Sequence, residues 1–452
     1  MIFIKFQPFK DIMSGNVQNN LQNMGVYVNI KIINFRGKIM TNDLIIIGGG
    51  AAGLCCAVYY KKIKPESTVR LFESLPRVGK KLSLTGNGRC NITNSNIDIS
   101  HYHGEDNEFC RYALEKYDID FTERFFNSIG VNFTFEGEKC YPSSFQASSV
   151  VDCLRFACDE LGVITHLETA VTNIQTSGNN YKIICGPMSF LSKKVVIASG
   201  LLSGGERLGC TANVLEILKK AGFKTVKTTP AIVQVKTETD TVKQLKGVKI
   251  NALATLNIDG KNLRSDFGEV LFCDYGLSGP PILQISRGVS KSNSTSKIVL
   301  DIMPDISFAE LYDILSARVK NLKNRTLYEF FTGLLQKRIG QVLLKEIGCK
   351  LSESVTVLND AKLKTLTSLI KNWSFNVIGT TGFINSQVTA GGLATNGFNN
   401  KTMESKLSQG LFCIGEILDI DGDCGGFNLQ WAWSSAFCAA DHIKECENVT
   451  NK

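Results

Sequence analysis

The sequence of 452 residues lacks several features that mark common classes of protein. It has only four histidines and no clustered Cys/His spacing, which argues against a structural zinc site. No run reaches the roughly 18 consecutive apolar residues that span a bilayer. The net charge is only +8 and no dense basic segment stands out. We therefore expect no metal, no membrane and no nucleic acid as partners, and a small molecule as substrate.

The 15 cysteines are scattered without the spacing of a disulfide framework. An odd number of dispersed cysteines is typical of free thiols in a reducing compartment, which predicts a cytoplasmic protein. Cys153 and Cys158 lie five residues apart, as do the redox cysteines of flavin-dependent disulfide reductases. In those enzymes, however, the pair closely follows the first nucleotide motif, whereas here it lies far downstream on a predicted amphipathic helix. A redox role for this pair is therefore disfavoured.

The clearest motif follows an apolar run, Asp43 to Ile47, that is typical of a strand buried in a parallel sheet. Gly48, Gly50 and Gly53 then match the G-x-G-x-x-G pattern, and a predicted helix runs from residue 51 to 60. In this pattern the first glycine allows a tight turn, the second lets a pyrophosphate approach the backbone, and the third lets helix and strand pack closely. The helix N-terminus offers free N–H groups and partial positive charge to phosphates. The motif predicts an α/β fold that binds a dinucleotide.

An acidic residue stands where this motif requires one. Val69 to Phe72 is a second predicted strand, and Glu73 follows it at roughly the distance from the glycines expected for a carboxylate that binds ribose hydroxyls. A glycine- and lysine-rich passage at 77–94 comes next. It is too polar for a core element, and we interpret it as a loop that contacts a ligand or, alternatively, as a solvated surface loop.

The remaining pattern divides the chain into segments. Residues 106–130 and 143–161 predict helices, 131–141 a hairpin, and a buried strand ends at Ser199-Gly200. From about residue 225 alternating strands replace the α/β pattern, and 305–373 is helical. The predicted organisation is a tail or mis-assigned start (1–39), a cofactor domain (40–224 and 386–452), an inserted β domain (225–304 and 374–385) and an inserted helical domain (305–373).

An acidic loop precedes the last predicted helix. Asp419, Asp421 and Asp423 are followed by Gly425 and Gly426. A calcium loop is disfavoured, because the downstream bidentate Glu of an EF-hand is missing. We favour a carboxylate that binds ligand hydroxyls, beside a helix N-terminus that points its partial charge at an atom becoming anionic.

Several long motifs together resemble the BaiN-like (YhiN) bacterial flavoproteins, which are NAD(P)/FAD-dependent, aminoacetone-oxidase-like oxidoreductases. The motifs are GGGAAG (48–53), GKKLSLTGNGRCNITN (79–94), YGLSGPPIL (275–283), QVTAGGL (387–393), TMESK (402–406) and GLFCIGEILDIDGDCGGFNLQWAWSSAFCAA (410–440). The resemblance implies a glutathione-reductase-type, Rossmann-like FAD domain with an inserted β domain and helical domain. It also implies a hydride transfer between the flavin N5 atom and either a small organic substrate or NAD(P)H. NAD(P)H would bind only transiently, as an electron donor.

The resemblance also implies roles for particular residues. Those expected to hold the pyrophosphate and ribose are Gly48, Gly50, Ala51, Ala52, Gly53, Glu73 and Ser74, with Val171 at the adenine. Those expected around the flavin are Lys81, Leu82, Asn87, Gly88, Arg89, Cys90, Asn91, Gly200, Gly392, Gly415, Glu416, Asp423, Gly425, Gly426 and Asn428. Asp423 with the two glycines and Asn428 would serve the ribityl chain and the pyrimidine edge. Arg89 and Cys90 are the only candidates for catalysis, although Cys90 is more simply a buried small residue.

The chain departs from the family where Ala198-Ser199-Gly200-Leu201 replaces an Ala-Thr-Gly-Gly run, and where Thr211-Ala212-Asn213-Val214 replaces a Gly-Asp-Gly helix start. These departures affect the substrate and nicotinamide side of the predicted site. Two other functions are alternatives, a flavoprotein that modifies tRNA and a non-catalytic FAD-binding protein. The first would require a basic face and an aromatic platform, which the sequence does not display.

Overall fold

The computed structural model describes residues 41–292 and 294–450. The predicted tail or mis-assigned start at 1–39 lies outside these residues. In the described part of the chain, no helix is both long and apolar enough to cross a membrane.

Twenty strands are described. They are β1 (Thr41–Ile47), β2 (Val69–Phe72), β3 (Thr93–Asn94), β4 (Tyr102–His103), β5 (Phe133–Glu136), β6 (Lys139–Pro142), β7 (Ile164–His166), β8 (Asn173–Ser177), β9 (Asn180–Cys185), β10 (Met188–Ile197), β11 (Thr225–Ala231), β12 (Val235–Thr237), β13 (Lys249–Ile258), β14 (Lys261–Cys273), β15 (Gly276–Ser278), β16 (Ser296–Asp301), β17 (Trp373–Thr380), β18 (Val388–Leu393), β19 (Leu411–Cys413) and β20 (Asp421–Gly422).

Eleven α-helices accompany them in the same residues. They are α1 (Ala51–Ile63), α2 (Arg111–Lys116), α3 (Ile119–Asn127), α4 (Ala147–Glu160), α5 (Asn213–Lys220), α6 (Asp240–Gln244), α7 (Pro280–Lys291), α8 (Phe308–Asn321), α9 (Lys337–Glu346), α10 (Asp360–Lys371) and α11 (Phe427–Thr450).

The first sheet has the strand order β7-β2-β1-β10, with β19 parallel to β10 and the antiparallel strands β9 and β8 beyond. The parallel part reproduces the 3-2-1-4 order of a Rossmann half. Strand β1 is buried along most of its length because it lies between β2 and β10 and its faces are covered. The predicted Rossmann-like α/β fold is therefore confirmed.

The antiparallel strands after residue 234 close into a barrel, in the order β12-β15-β14-β13-β16-β17. Helix α7 packs against it with Ile282, Ile285 and Val289 buried in the same core. Helices α8, α9 and α10 lie between β16 and β17 in the chain, and their apolar faces share this second core. An additional sheet with helices therefore interrupts the Rossmann-like part, as the sequence pattern indicates.

The limits of the four predicted segments stay predictions. Strand pairing does not mark a boundary at residue 225, because β11 pairs with β18 outside the barrel. A small third cluster, formed by Ala231, Ile232, Val388 and Ala390, lies at this pair.

Two local expectations were wrong. The predicted helix at 106–130 is two short helices, α2 and α3, because the chain turns at Tyr117 and Asp118 caps the second helix. The passage at 77–94 contains a 3-10 helix, Leu82–Gly88, and its end is buried at Cys90, Ile92 and Thr93. The alternative of a solvated surface loop is therefore wrong for the end of the passage, where Trp433 of α11 donates to the Ile92 carbonyl oxygen, whereas contact of the loop with a ligand stays a prediction.

Candidate functional site

The glycine turn between β1 and α1 has the geometry that the motif predicts. Gly48 has φ +110°, and a Cβ there would lie 2.4 Å from the Ala198 carbonyl oxygen. A Cβ at Gly53 would lie 1.9 Å from the Gly48 oxygen. At Gly50, in contrast, a Cβ would meet nothing within 4 Å. Gly48 and Gly53 therefore serve the close packing of the turn, while Gly50 faces open space at the N-terminus of α1.

Glu73 lies at the end of β2 and faces the glycine turn. Its Oε2 accepts a hydrogen bond from the Gly49 N–H (3.0 Å), and its Oε1 accepts from the Leu75 N–H (2.9 Å) and the Ser74 hydroxyl (3.1 Å). Thr169 N–H donates to the Glu73 carbonyl oxygen, which places the segment before buried Val171 beside the backbone of Glu73. The predicted ribose and adenine residues are therefore neighbours.

The C-terminal part of the chain returns to the same edge of the sheet. A Cβ at Gly415, directly after β19, would lie 3.1 Å from the Ala52 Cβ atom of α1. Glu416 next to it accepts from Lys81 Nζ (2.7 Å), Ser203 Oγ (2.6 Å) and the Thr389 N–H (2.7 Å). Predicted residues from distant segments, Lys81, Gly415 and Glu416, are thus brought together with Ala52.

Two further predicted glycines lie at this network. A Cβ at Gly200 would lie 3.8 Å from Glu416 Oε2, and one at Gly392 would lie 2.6 Å from the Ile417 carbonyl oxygen. Ser203 and Thr389, which complete the network, are buried and were not found from the sequence. A serine and a threonine carry no motif signal of their own, since only the fold brings them to Glu416.

The predicted flavin loop is strained and partly buried. Asn87 and Cys90 have φ angles of 55° and 59°, in a region that side chains other than glycine seldom adopt. Burial raises the pKa of the Cys90 thiol to about 12, so this side chain carries no thiolate at neutral pH. Leu82 is buried as well.

Arg89 turns outward from this loop. Its guanidinium binds Glu136 (2.7 Å) and packs over the rings of Tyr141 and Phe145, at 4.3 and 4.5 Å from their centroids. The guanidinium is thus engaged by the β5–β6 hairpin. Of the two candidates for catalysis, one is a neutral buried thiol and the other is an ion-paired cation.

The N-terminus of α11 lies against the same loop. A Cβ at Gly426 would lie 2.5 Å from the Thr93 oxygen and 2.9 Å from Asn91 Oδ1. Asn94 Nδ2 donates to the Gly425 oxygen at 2.8 Å. Asn91 Oδ1 is buried and has no hydrogen-bond partner among the described residues. A buried amide oxygen without a donor costs free energy, and this oxygen is free to accept a hydrogen bond from a ligand.

Asp423 and Asn428 have other partners. Asn428 bonds the backbone of Gly422 from both ends of its amide. Asp423 accepts from His103 Nε2 (2.7 Å), Arg264 (2.7 Å) and His101 Nδ1 (3.2 Å). Burial alone would raise the pKa of Asp423, but the hydrogen bonds and charges of His103 and Arg264 hold it well below its usual range.

A neighbouring carboxylate is paired with the barrel. Asp421 is bound by the Arg287 guanidinium through two hydrogen bonds of 2.7 and 3.0 Å. Burial raises the pKa of Asp421 from its ordinary value, and Arg287 partly offsets this effect. The sequence analysis did not identify Arg264, Arg287 or His103 as site residues. The two histidines that flank Tyr102 were a usable signal, because the chain has only four histidines.

A cavity of about 560 Å³ adjoins the glycine turn on the side of α4. Leu54 of α1 and Val78 line it near the turn, while Arg155 and Asp159 of α4 line its far side. None of the three motif glycines lines it, so it lies beside the dinucleotide turn and not over it.

FAD fits the residues present. Gly50 leaves the α1 N-terminus open to a pyrophosphate, and Glu73 stands where a ribose would bind. The unpaired Asn91 oxygen and the glycine start of α11 supply an acceptor and free N–H groups where the pyrimidine edge is predicted. The described residues contain no group of three or more side chains that could hold a metal ion.

Comparison with known proteins agrees with this geometry. The family described as HI0933-like protein Rossmann domain matches residues 42–442. The chain belongs to this HI0933-like family. Among its relatives is a 3-dehydro-bile acid delta(4,6)-reductase of Clostridium scindens, 31% identical over 401 residues that cover 88% of this chain and 98% of the relative.

Two other HI0933-like relatives have names that refer to RNA. The ribosomal RNA dihydrouridine synthase of Haemophilus influenzae is 30% identical over 417 residues, covering 88% of this chain and 98% of that protein. The protein of the same name from Escherichia coli is 30% identical over 409 residues, covering 89% and 98%. The predicted family and the class of FAD-dependent oxidoreductase are confirmed, whereas the expectation that nucleic acid is excluded has no support.

Proposed function

We propose that this HI0933-like protein reduces a carbon–carbon double bond conjugated to a carbonyl group, with FAD as the resident cofactor. The observation that carries the proposal is the convergence of two distant parts of the chain. The open glycine turn at Gly50 and the Gly415–Glu416 segment after β19 meet at one edge of the sheet. This is the edge where doubly wound folds bind nucleotides.

The type of bond comes from the relatives. One is named for a reductase of delta(4,6) double bonds in a 3-dehydro-bile acid, and two for forming dihydrouridine in ribosomal RNA. Both names describe the addition of two hydrogens across a double bond conjugated to a carbonyl. The two substrates share this group and little else, so the shared chemistry is the best guide to this chain.

The residues have the following proposed roles. Gly48, Gly50, Ala51, Ala52 and Gly53 hold the pyrophosphate, Glu73 and Ser74 the ribose, and the backbone at Val171 the adenine. Lys81 and Ser203 orient Glu416 toward the ribityl chain. Asn91, Gly425 and Gly426 bind the pyrimidine edge. When bound, FAD supplies a centre at N5 that accepts and donates hydride.

The N-terminus of α11 has an electrostatic role in this proposal. Its free N–H groups and partial positive charge face the position where negative charge develops as a flavin is reduced. NADH or NADPH is the proposed electron donor, which binds transiently because the sequence has no second nucleotide motif. A cytoplasmic location would supply both this donor and the reducing conditions that suit 15 free thiols.

The test is anaerobic spectroscopy of the purified holoprotein. NADH or NADPH should bleach the flavin absorbance, and a 3-oxo-4,6-diene steroid or a uridine-containing oligoribonucleotide should restore it. The saturated product should carry two additional hydrogens by mass spectrometry. A protein that binds no FAD, or whose reduced flavin is reoxidised only by oxygen, would contradict the proposal and favour a non-catalytic FAD-binding protein.

RNA is the second candidate substrate because two relatives are named for it. The structure adds one feature that the sequence did not show, the partly exposed Arg89 guanidinium, which lies over the rings of buried Tyr141 and half-buried Phe145. Unpaired bases stack on such aromatic and guanidinium planes. If reoxidation by the oligoribonucleotide is fast and the Arg89→Ala variant loses it while keeping reoxidation by the steroid, RNA is the substrate.

A further inference from the structure

A polar cluster lies on the barrel side of the α11 N-terminus. Asp423 is at its centre, with Oδ1 bound by His103 Nε2 and Oδ2 bound by His101 Nδ1 and Arg264. Strand β4, which carries His103, pairs with β20, which precedes Asp423. The backbone and the side chains therefore fix His103 against the loop that leads into α11.

The tautomer of His103 follows from its partner. The Asp423 carboxylate is held in its ionised form and can only accept hydrogen bonds, so His103 Nε2 carries a hydrogen. Nδ1 of His103 has no partner in the part of the chain that the structure describes, and the side chain is 23% exposed. A carboxylate that orients an imidazole in this way leaves the opposite nitrogen available for proton transfer.

The other groups near His103 do not compete for this role. His101 uses Nδ1 on Asp423 and stacks on the Phe427 ring, with 4.3 Å between centroids. Arg264 NH1 lies 3.3 Å from His103 Nε2, and an arginine does not release a proton near neutral pH. Asp266 of β14, whose pKa burial raises, faces the cluster from the barrel, and Asp421 of β20 is ion-paired with Arg287 of α7.

A narrow gap leads to His103 between the loop and the barrel. His103, Arg264, Gln284 and Asp423 line it together with apolar Ile232 and Leu283, and its volume is about 10 Å³. That is about the space of one water molecule, which suits the passage of a proton but not of a substrate.

The wall of this gap is strained. Ile232 is buried and has φ 49°, a conformation that a β-branched residue rarely adopts. Strain of this kind persists where the surrounding structure enforces it, and it concentrates at functional sites.

We propose that His103 is the acid that gives the second hydrogen to the substrate, and that Asp423 is its positioning residue. The inference rests on the proposed function and deepens it. With reduced FAD bound, the cofactor would supply hydride to the β carbon of the conjugated bond, and His103 Nδ1 would give a proton to the α carbon of the resulting enolate. The C=C π bond is lost, two C–H bonds form, and the imidazolium becomes neutral imidazole, which regains a proton from bulk solvent, relayed by a water molecule in the gap.

The test compares His103→Asn with His442→Asn. His442 lies on α11 far along the helix, where it contacts Glu404, and it has no part in the site. Both variants should keep FAD and be reduced by NADH or NADPH as fast as the wild type. Reoxidation by the 3-oxo-4,6-diene steroid or the uridine oligoribonucleotide should slow at least ~100-fold in His103→Asn alone, because a general acid contributes about 10²–10⁴-fold.

A second measurement does not depend on turnover. In ¹⁵N NMR spectra of the wild type, neutral His103 should carry its hydrogen on Nε2, and Asp423→Asn should shift this population toward Nδ1. A ring protonated mainly on Nδ1 in the wild type would overturn the inference, as would unchanged reoxidation in His103→Asn. If neither substrate reoxidises the wild type, both the proposed function and the inference fail. If a substrate reoxidises the wild type and His103→Asn equally fast, only the inference fails.

Discussion

Gly53 lies so close to Gly48 that a Cβ atom at position 53 would be 1.9 Å from the Gly48 carbonyl oxygen. Gly50, two residues from Gly48, has open space on the corresponding side. The glycine motif therefore combines two physical requirements, close packing of the turn and access for a ligand, and substitutions can separate them.

Gly50→Val should leave the fold intact and abolish FAD binding, because the new side chain points into space that only a ligand would fill. Gly397→Val is a matched control, since this glycine also has open space and no left-handed φ. Thermal unfolding should be similar in both variants, and the flavin absorbance should be lost only in the first. Full FAD occupancy in Gly50→Val would be incompatible with the proposed pyrophosphate site.

Gly53→Ala should instead destabilise the protein even without FAD. Overpacking of this kind typically costs ~1–3 kcal/mol, and here the obstacle is backbone that cannot move aside. Urea denaturation of the cofactor-free protein measures this loss. An unchanged midpoint would show that the turn can relax.

Glu416→Gln should weaken FAD binding while the fold persists. The substitution keeps the shape of the side chain but leaves Lys81 without its anionic partner. Glu404→Gln is the control, because Glu404 is similarly exposed and also accepts a hydrogen bond from a backbone N–H, that of Gly410. Titration of the cofactor-free proteins with FAD should show a loss of roughly tenfold for Glu416→Gln, the equivalent of one ~1.4 kcal/mol interaction. Equal affinities in the two variants would remove Glu416 from the site.

Asp423→Asn should lower stability at neutral pH by ~1–3 kcal/mol, since His103 and Arg264 lose a buried charged acceptor. The folded pKa of Asp423 is depressed, so its contribution is complete above the unfolded value of about 3.8 and is lost as pH falls through the folded pKa. The difference between wild type and variant should therefore not shrink from pH 7 to about pH 4.5 in urea denaturation. A difference that already shrinks between pH 7 and 5 would contradict the depressed pKa. Asp274→Asn, at an exposed pair with Lys246, should change little.

Cys90 should resist alkylation in the folded protein. Its thiol is buried and its pKa is raised to about 12, so the reactive thiolate is scarce at pH 8. Cys273, which is only partly buried, should react with iodoacetamide first. Mass spectrometry of peptides after timed labelling gives both rates. Rapid labelling of Cys90 would restore it as a candidate for catalysis.

The sequence by itself was sufficient for the local elements whose signal is continuous. The apolar run before Gly48 and the glycine spacing predicted β1 and the turn, because strand burial and tight turns depend on neighbouring residues, while the ribose role of Glu73 stays a prediction. At Tyr117 and Asp118 the sequence predicted one continuous helix, whereas the structure has two. The amphipathic spacing continues across these residues, but the Asp118 side chain caps a new helix there. The burial of Ile92 and Thr93 at the end of the loop at 77–94 was not predicted for a similar reason, because burial depends on what covers a segment.

Only the tertiary structure decided which side chains meet. Glu416 contacts Lys81 and Ser203, which are 335 and 213 residues away in the sequence, as well as Thr389, which is 27 residues away, and no pattern of spacing encodes such contacts. The same holds for His103, Asp423 and Arg264, which come from a short strand, a loop and the barrel. Periodicity records which face of an element is buried, whereas the partner of a charged group is set by the packing of whole elements. The sequence therefore determined the cofactor class, and the fold determined which charged groups pair beside the loop that leads into α11.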